Sequence, residues 1–249
     1  MIHRFDDPEA LSRAAADLFA QAACAAVAER GRFDVAFSGG HTPQRTYELL
    51  ARPPWRDRTP WPDVHVFWGD ERCVPPEDAR SNGRMAHLAL LQHVPLNSAH
   101  VHPIRCDGDP DAGAARYDKL LRTQLPAAAP VLDLVFLGLG QDGHTASLFP
   151  YSPVLAEKAR WAAAVYVAEQ QMHRVSLTPV IINAARRVVF LVVGREKAQV
   201  LKTVLEGPTD ARRLPAQLIT PRPGRLLWMV DQTAASHLTP STDKVHAER

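Results

Sequence analysis

Leu132-Asp133-Leu134-Val135-Phe136-Leu137-Gly138-Leu139-Gly140-Gln141-Asp142-Gly143-His144-Thr145-Ala146-Ser147-Leu148-Phe149-Pro150 is the stretch on which the reading of this chain turns. Its first part, Leu132 to Leu137, is largely apolar and predicts a buried strand. The strand opens into a glycine-dense turn, the place where α/β proteins put their chemistry. Glycine lets backbone approach a ligand closely. Here the turn delivers Asp142 and His144 two residues apart, a candidate acid/base pair.

Working outward, strands alternate with helices. Glu9 to Arg30 repeats apolar residues at helical spacing, and Gly31 follows as a stop. Phe33 to Phe37 reads as a strand ending at Ser38-Gly39-Gly40, after which Thr42 and Pro43 read as cap and first residue of a helix to Leu50. Arg52 to Pro62, rich in proline, reads as an irregular surface loop. Val64 to Trp68 is a strand that ends at Gly69-Asp70-Glu71-Arg72; helices are expected from Ser81 or Asn82 to about Leu91 and from Asp111 to Leu125. Strands over 162–167, 174–177, 188–193 and 226–230 and helices over 179–185 and 195–205 complete the pattern. This order predicts an α/β fold with a mostly parallel sheet covered on both faces. A single unit over 1–237 followed by a polar tail, 238–249, is the expected organisation.

A net charge of +2 and the lack of any dense basic run argue against a nucleic-acid surface, so an anion site has to be local. No apolar run reaches membrane-spanning length, and Met1 to Glu9 lacks the layout of a secretory signal. Cys24, Cys73 and Cys106 are odd in number, widely spaced and without a CxxC pair. That argues against a disulfide framework or structural zinc and favours a reducing compartment, so a cytoplasmic location is expected.

Three strand ends carry chemistry. Ser38-Gly39-Gly40-His41-Thr42-Pro43 reads either as a phosphate cradle at a helix start or as a βα turn that needs glycine only for its dihedrals. Asp70-Glu71-Arg72 reads either as a solvated salt bridge or as part of a crevice beyond the strand ends. Gly138, Gly140 and Gly143 have the GxGxxG spacing of a dinucleotide turn. Asp142 would set a negative charge against a pyrophosphate, however, and no acidic ribose partner follows about 20 residues on. His100 and His102 lack a third metal ligand and read as loop surface. Arg174 and Lys197 matter only if the fold brings them to the glycine loop.

Taken in order, these blocks resemble the 6-phosphogluconolactonase family: Ser38-Gly39-Gly40-x-Thr42-Pro43, then Asp70-Glu71-Arg72-x-Val74-Pro75 with Ser81-Asn82, then Gly138 to Pro150, then Arg174-Val175-Ser176-Leu177-Thr178-Pro179, then Gly194-Arg195-Glu196-Lys197-Ala198. They span residues 35 to about 205. The resemblance implies a modified Rossmann-like three-layer sandwich and hydrolysis of 6-phospho-D-glucono-1,5-lactone, the second step of the oxidative pentose phosphate pathway. It implies no metal or organic cofactor and a small phosphosugar lactone as partner, with neither nucleic acid nor membrane and with a monomer or weak homodimer. In the resemblance His144 is general base and Asp142 orients it or the water. Gly39, Gly40 and Thr42 sit at the phosphate end, Arg174 and Lys197 supply counter-charge, Asp70 belongs to the substrate site, and Arg72 meets either phosphate or oxyanion.

Two departures bear on this. His41 stands where the family usually has serine. Phe149 stands where the related glucosamine-6-phosphate deaminases resemble Asp-Gly-His-x-Ala-Phe-Asn-Glu and hold a glutamate that assists ring opening. The rival readings are such a deaminase or isomerase, which Phe149 disfavours, and a non-catalytic sugar-phosphate-binding regulator, which would more readily have lost Asp142 or His144.

Overall fold

In a computed structural model, residues 1–106, 108–125 and 132–239 are described. The elements are β1 (Ile2–Phe5), α1 (Pro8–Arg30), β2 (Phe33–Phe37), α2 (His41–Leu50), α3 (Trp55–Arg58), β3 (Val64–Trp68), β4 (Asp70–Arg72), α4 (Asn82–Ala89), α5 (Pro110–Gln124), β5 (Leu134–Leu137), β6 (Ala162–Val167), β7 (Met172–Leu177), α6 (Pro179–Asn183), β8 (Arg187–Val192), α7 (Ala198–Glu206) and β9 (Arg225–Asp231). Six strands form a wholly parallel sheet in the order β1-β9-β8-β5-β2-β3. Every residue of β2 and β5 is buried, so helices cover both faces, as a parallel sheet requires. This is the α/β fold with a mostly parallel sheet that the element order predicts, and the Rossmann-like sandwich that the resemblance implies.

Helix α1 shows why. Asp7 caps it by accepting from the Ala10 amide, Gly31 ends it in the left-handed conformation, and its stripe of alanines lets it lie close to the sheet. Phe19 fills the gap those alanines leave. It meets Phe33 edge-on at 5.3 Å and reaches Phe37, Trp61 and Phe136.

Several expectations are corrected, and one element goes beyond them. The expected strands at 162–167 and 174–177 lie outside the parallel sheet: β6 and β7 pair antiparallel with β4 in a second sheet of order β4-β7-β6. The link between β6 and β7 is a short turn over Ala168–Gln170, too short for the crossover a parallel pair needs. The segment from Arg52 to Pro62 is anchored rather than a surface loop, because Trp55 and Trp61 are buried and α3 forms between them. The N-terminal segment pairs as edge strand β1, whose mostly exposed residues carry no apolar pattern to announce it. Cys73 and Cys106 are joined in a disulfide with Cα atoms 5.0 Å apart, because the loop before α5 folds back beside the end of β4; cysteine parity carries no information about such proximity. Cys24 is free.

Leu238 is buried, and the Thr239 amide donates to Glu206; the rest of the expected polar tail lies outside the described residues. Among the described residues no helix is long and apolar enough to cross a membrane. His102 is buried rather than on the loop surface, stacked on Phe67 at 4.5 Å and set beside His65. Among the described residues no group of three or more His, Cys, Asp or Glu side chains is arranged to hold a metal.

Candidate active site

Within the parallel sheet, β2 continues to β3 on one side while β5 adjoins β8 on the other. The loops that leave the carboxyl ends of β2 and β5 therefore diverge. A crevice opens where they part, the general ligand position in open α/β sheets. The Ser38–Gly40 loop and the Gly138–Pro150 loop both stand there.

The first loop is fixed from behind. Tyr47 of α2 is fully buried, and its hydroxyl donates to the Ser38 carbonyl and accepts from the Ser38 amide, both at 3.0 Å. Helix α2 starts at His41 with Gly40, at φ +103°, rather than Thr42 as its cap, and glycine has no side chain with which to cap it. The first-turn amides of α2 are thus left for an anion. Thr42 lies in that first turn, and His41 is exposed. Gly39 has a different reason for being glycine: a Cβ there would fall 2.0 Å from Asn82 Oδ1.

Asn82 leads to the second cluster. Its side-chain amide donates to the Asp70 carbonyl at 2.9 Å and to Asp70 Oδ1 at 3.3 Å. Asp70 Oδ2 accepts from Ser147 Oγ at 2.6 Å and from Arg174 Nη1 at 3.4 Å. Gln170 Oε1 accepts from Arg174 Nη2. Asp70, Ser147 and Arg174 are all buried, so the carboxylate of Asp70 is occupied in holding the guanidinium. Glu71 is equally occupied at the start of α4. It accepts from the amides of Asn82 and Gly83 and from Ser81 Oγ, while burial raises its pKa.

Arg72 and Arg174 are register partners on β4 and β7, so two like charges stand side by side. The Nε atoms of both are buried without a hydrogen-bond partner among the described residues. Burial and then the Arg72 charge, opposed by Asp70, hold the Arg174 guanidinium below its ordinary pKa. Two adjacent cations with unused buried donors are the kind of pair a compact anion would compensate. Lys197 ends the short turn Arg195–Lys197 after β8, at the same sheet edge, and makes no ion pair among the described residues.

The third loop carries the candidate acid/base pair. His144 Nδ1 lies 2.5 Å from Asp142 Oδ1, which also accepts the His144 amide at 3.1 Å. Burial works to raise the Asp142 pKa, but the hydrogen bonds and charge of His144 win and hold it below its ordinary value. An ionised carboxylate only accepts, so the Nδ1 atom carries the proton of this bond, and Nε2 has no hydrogen-bond partner among the described residues. Gly140 is required: a Cβ there would sit 2.0 Å from His144 Nδ1. The space a dinucleotide turn keeps for pyrophosphate is thus filled by the imidazole. No α-helix follows this turn, only the short 3-10 turn Pro153–Ala156, which removes the dinucleotide reading. Phe149 joins the clusters, stacking on His144 at 4.3 Å and lying 5.5 Å from the Arg174 guanidinium carbon.

The structure therefore brings together Gly39, Gly40, Asp70, Arg72, Arg174, Asp142 and His144 along one edge, with Thr42 and Lys197 at its flanks. Sequence reasoning did not single out Ser147 or Gln170, which hold Asp70 and Arg174. Ser147 stood inside the quoted motif, whereas Gln170, in a polar turn, gave no signal.

Fold and site define a class: an α/β enzyme with a carboxylate-bound imidazole and a pair of neighbouring arginines beyond the strand ends of one parallel sheet. The chain belongs to the family of glucosamine-6-phosphate isomerases and 6-phosphogluconolactonase, whose model matches residues 6–228. It is 42% identical over 219 residues to the 6-phosphogluconolactonase of Synechocystis sp., covering 86% of this chain and 88% of that protein. The 6-phosphogluconolactonase of Nostoc sp. is 37% identical over 238 residues, with 94% and 96% covered. The solved 6-phosphogluconolactonase of Trypanosoma cruzi superposes with a TM-score of 0.83 at 30% identity, covering 96% of each chain.

Proposed function

We propose that this chain hydrolyses 6-phospho-D-glucono-1,5-lactone to 6-phospho-D-gluconate, the lactonase step of the oxidative pentose phosphate pathway. The observation that carries the reading is the His144–Asp142 pair, with Nε2 making no hydrogen bond among the described residues, at the same edge as the unpartnered Nε donors of Arg72 and Arg174. The names of the relatives support the same reaction.

His144 Nε2 takes a proton from a water as that water's oxygen attacks the lactone carbonyl carbon. The carbonyl becomes a tetrahedral oxyanion, and Asp142 stabilises the imidazolium that forms. Collapse of the intermediate breaks the bond from the carbonyl carbon to the ring oxygen, and the imidazolium returns its proton to that oxygen. Gly39, Gly40 and Thr42 present amides to the phosphate, and Arg174 with Lys197 supplies charge. Asp70 acts through Arg174, which it holds. Arg72 meets either phosphate or oxyanion.

All of these residues come from one chain and one α/β unit over 1–237, so a monomer or weak homodimer suffices. A cytoplasmic location belongs to the same proposal, since a doubly charged sugar phosphate stays in the compartment that makes it. The test is acid release from the lactone, above its spontaneous rate, in a pH-stat. His144→Ala is expected to lose roughly 100- to 10,000-fold of the acceleration. Full activity in that variant overturns the base assignment, and ammonia release from glucosamine 6-phosphate overturns the reaction class.

A further inference from the structure

The segment after α7 carries none of the motifs that point to chemistry, yet it grips the catalytic loop at both ends. The Ala216 amide donates to the Gly143 carbonyl at 3.0 Å, one residue before His144. The Tyr151 amide donates to the Arg212 carbonyl at 2.8 Å, two residues after Phe149. Between these bonds Leu214, itself buried, lies on Gly143 so closely that a Cβ there would come within 2.7 Å of Leu214 Cδ2. Gly143 is at φ +85° and Tyr151 at φ +61°, so both gripped positions hold left-handed backbone. Such conformations persist where the surroundings over-determine them.

One side chain closes this segment on itself. Gln217 Oε1 accepts from the Asp210 amide at 2.7 Å, while Gln217 Nε2 donates to the carbonyls of Val204 at 3.2 Å and Pro208 at 3.3 Å. Gln217 thereby ties the loop to the last turn of α7. Asp210 completes the turn: its carbonyl accepts from the Leu214 amide at 2.8 Å and its carboxylate from the Arg213 amide at 3.2 Å. The far end is held by Asn183, which donates to the Leu218 carbonyl and accepts from the Thr220 amide.

We propose that residues 208–218 form a strap that sets the position of His144, and that Gln217 is the positioning residue that locks it. The proposal rests on His144 as the base. Gln217 touches no group assigned to the substrate. It acts through Leu214 and Ala216 on Gly143, and Gly143 sets the entry of the chain into His144. Apart from Lys197, the phosphate end is carried by β2, β4 and β7 and their loops, and among the described residues it has no hydrogen bond to the strap. A loosened strap should therefore move the base against a substrate that is still held.

The experiment compares Gln217→Ala and Leu214→Ala with the parent enzyme and with His144→Ala. The readouts are kcat, KM for the lactone, the inhibition constant for inorganic phosphate, and the melting temperature. The expected result is a kcat lower by about ten-fold or more in both strap variants, since small misplacements at a reacting centre cost this much. KM and the phosphate inhibition constant stay within about two-fold of the parent. A parent-like kcat in a folded Gln217→Ala, or a change confined to KM or to melting temperature, overturns the strap. A parent-like His144→Ala overturns the base assignment and with it the strap's role, whereas an inactive His144→Ala beside a parent-like Gln217→Ala overturns the strap alone.

Discussion

The imidazole of His144 and the ring of Phe149 stack with centroids 4.3 Å apart and planes 27° apart. The bond to Asp142 fixes one ring nitrogen, but a single hydrogen bond leaves the imidazole free to rock about it. The face of Phe149 removes that freedom, and such aromatic pairs contribute roughly 0.5–1.5 kcal/mol beyond burial. Phe149→Ala is expected to lower kcat about ten-fold, with a smaller change in KM. Phe149→Tyr, which keeps the ring, should stay near the parent. Initial-rate kinetics on the lactone decide it.

Tyr47 serves the other end of the site in the same spirit. Its buried hydroxyl satisfies both backbone groups of Ser38, directly before the two glycines. Tyr47→Phe keeps the stack on Phe37, at 4.5 Å, but leaves a buried amide and carbonyl unpaired. The expected cost is about 1–3 kcal/mol in urea unfolding. Because the glycine loop is proposed to present amides to the phosphate, KM should rise more than kcat falls.

The fold was legible where the signal is periodic. β2, β3 and β5 are buried on both faces and read as short apolar runs; α1 and α5 carry caps and stripes. What escaped is set by contacts between distant residues. Asp70–Arg72 is a strand only because β7 lies beside it, and no local pattern in three charged residues reports this. The pairing of Cys73 with Cys106 depends on a loop returning across 33 positions. At the site, glycines and charged residues at strand ends drew notice. The supports did not, because a glutamine such as Gln170 or Gln217 looks the same in sequence whether it faces water or locks a loop.

Arg174 is held by Asp70, Ser147 and Gln170, with its Nε unused. Lysine there would keep the charge but lose the planar fork that meets three partners at once. Arg174→Lys is expected to raise KM about ten-fold or more while kcat changes less. Asp70→Asn, which leaves Arg174 beside Arg72 without its hydrogen-bonded carboxylate and with only the more weakly acting Glu71 as countercharge, should raise KM in the same direction and also lower the unfolding midpoint. Equal losses in kcat and KM for Arg174→Lys would contradict its assignment to the phosphate end.

At the amino-terminal edge of the sheet His65 stacks on His100 at 3.7 Å and faces His102. Burial, then the Arg32 charge, pushes His65 down to about 3 and His102 down to about 4. In the unfolded chain both titrate near 6.5, so below that pH the unfolded state binds protons that the fold refuses, and stability falls as pH drops towards about 4. Asp34, the register partner of His65, works the other way. Burial, against the pull of Arg32, raises its carboxyl to about 6, so the fold takes up that proton first and offsets one histidine. The net direction is loss of stability on acidification. His65→Asn should flatten the dependence between about pH 6.5 and 4.5, which urea midpoints measured across that window would show.

The Cys73–Cys106 bond closes a loop with a sequence separation of 33 and joins the residue after Arg72 to the approach of α5. Closing a loop of this length in the unfolded chain is worth about 3–4 kcal/mol in the chain-entropy account. Cys73→Ser and Cys106→Ser should each lose stability of this order, and both together should cost no more than either alone. A dithiol reductant should bring the parent to the level of the variants and leave the variants unmoved. Thiol titration of the unfolded, unreduced parent should find only Cys24. Because Cys73 extends β4 by donating its amide to the His173 carbonyl, one position beyond the Arg72–Arg174 pair in the ladder, the loss should reach the site. KM should rise on reduction in the parent and be independent of reductant in both variants.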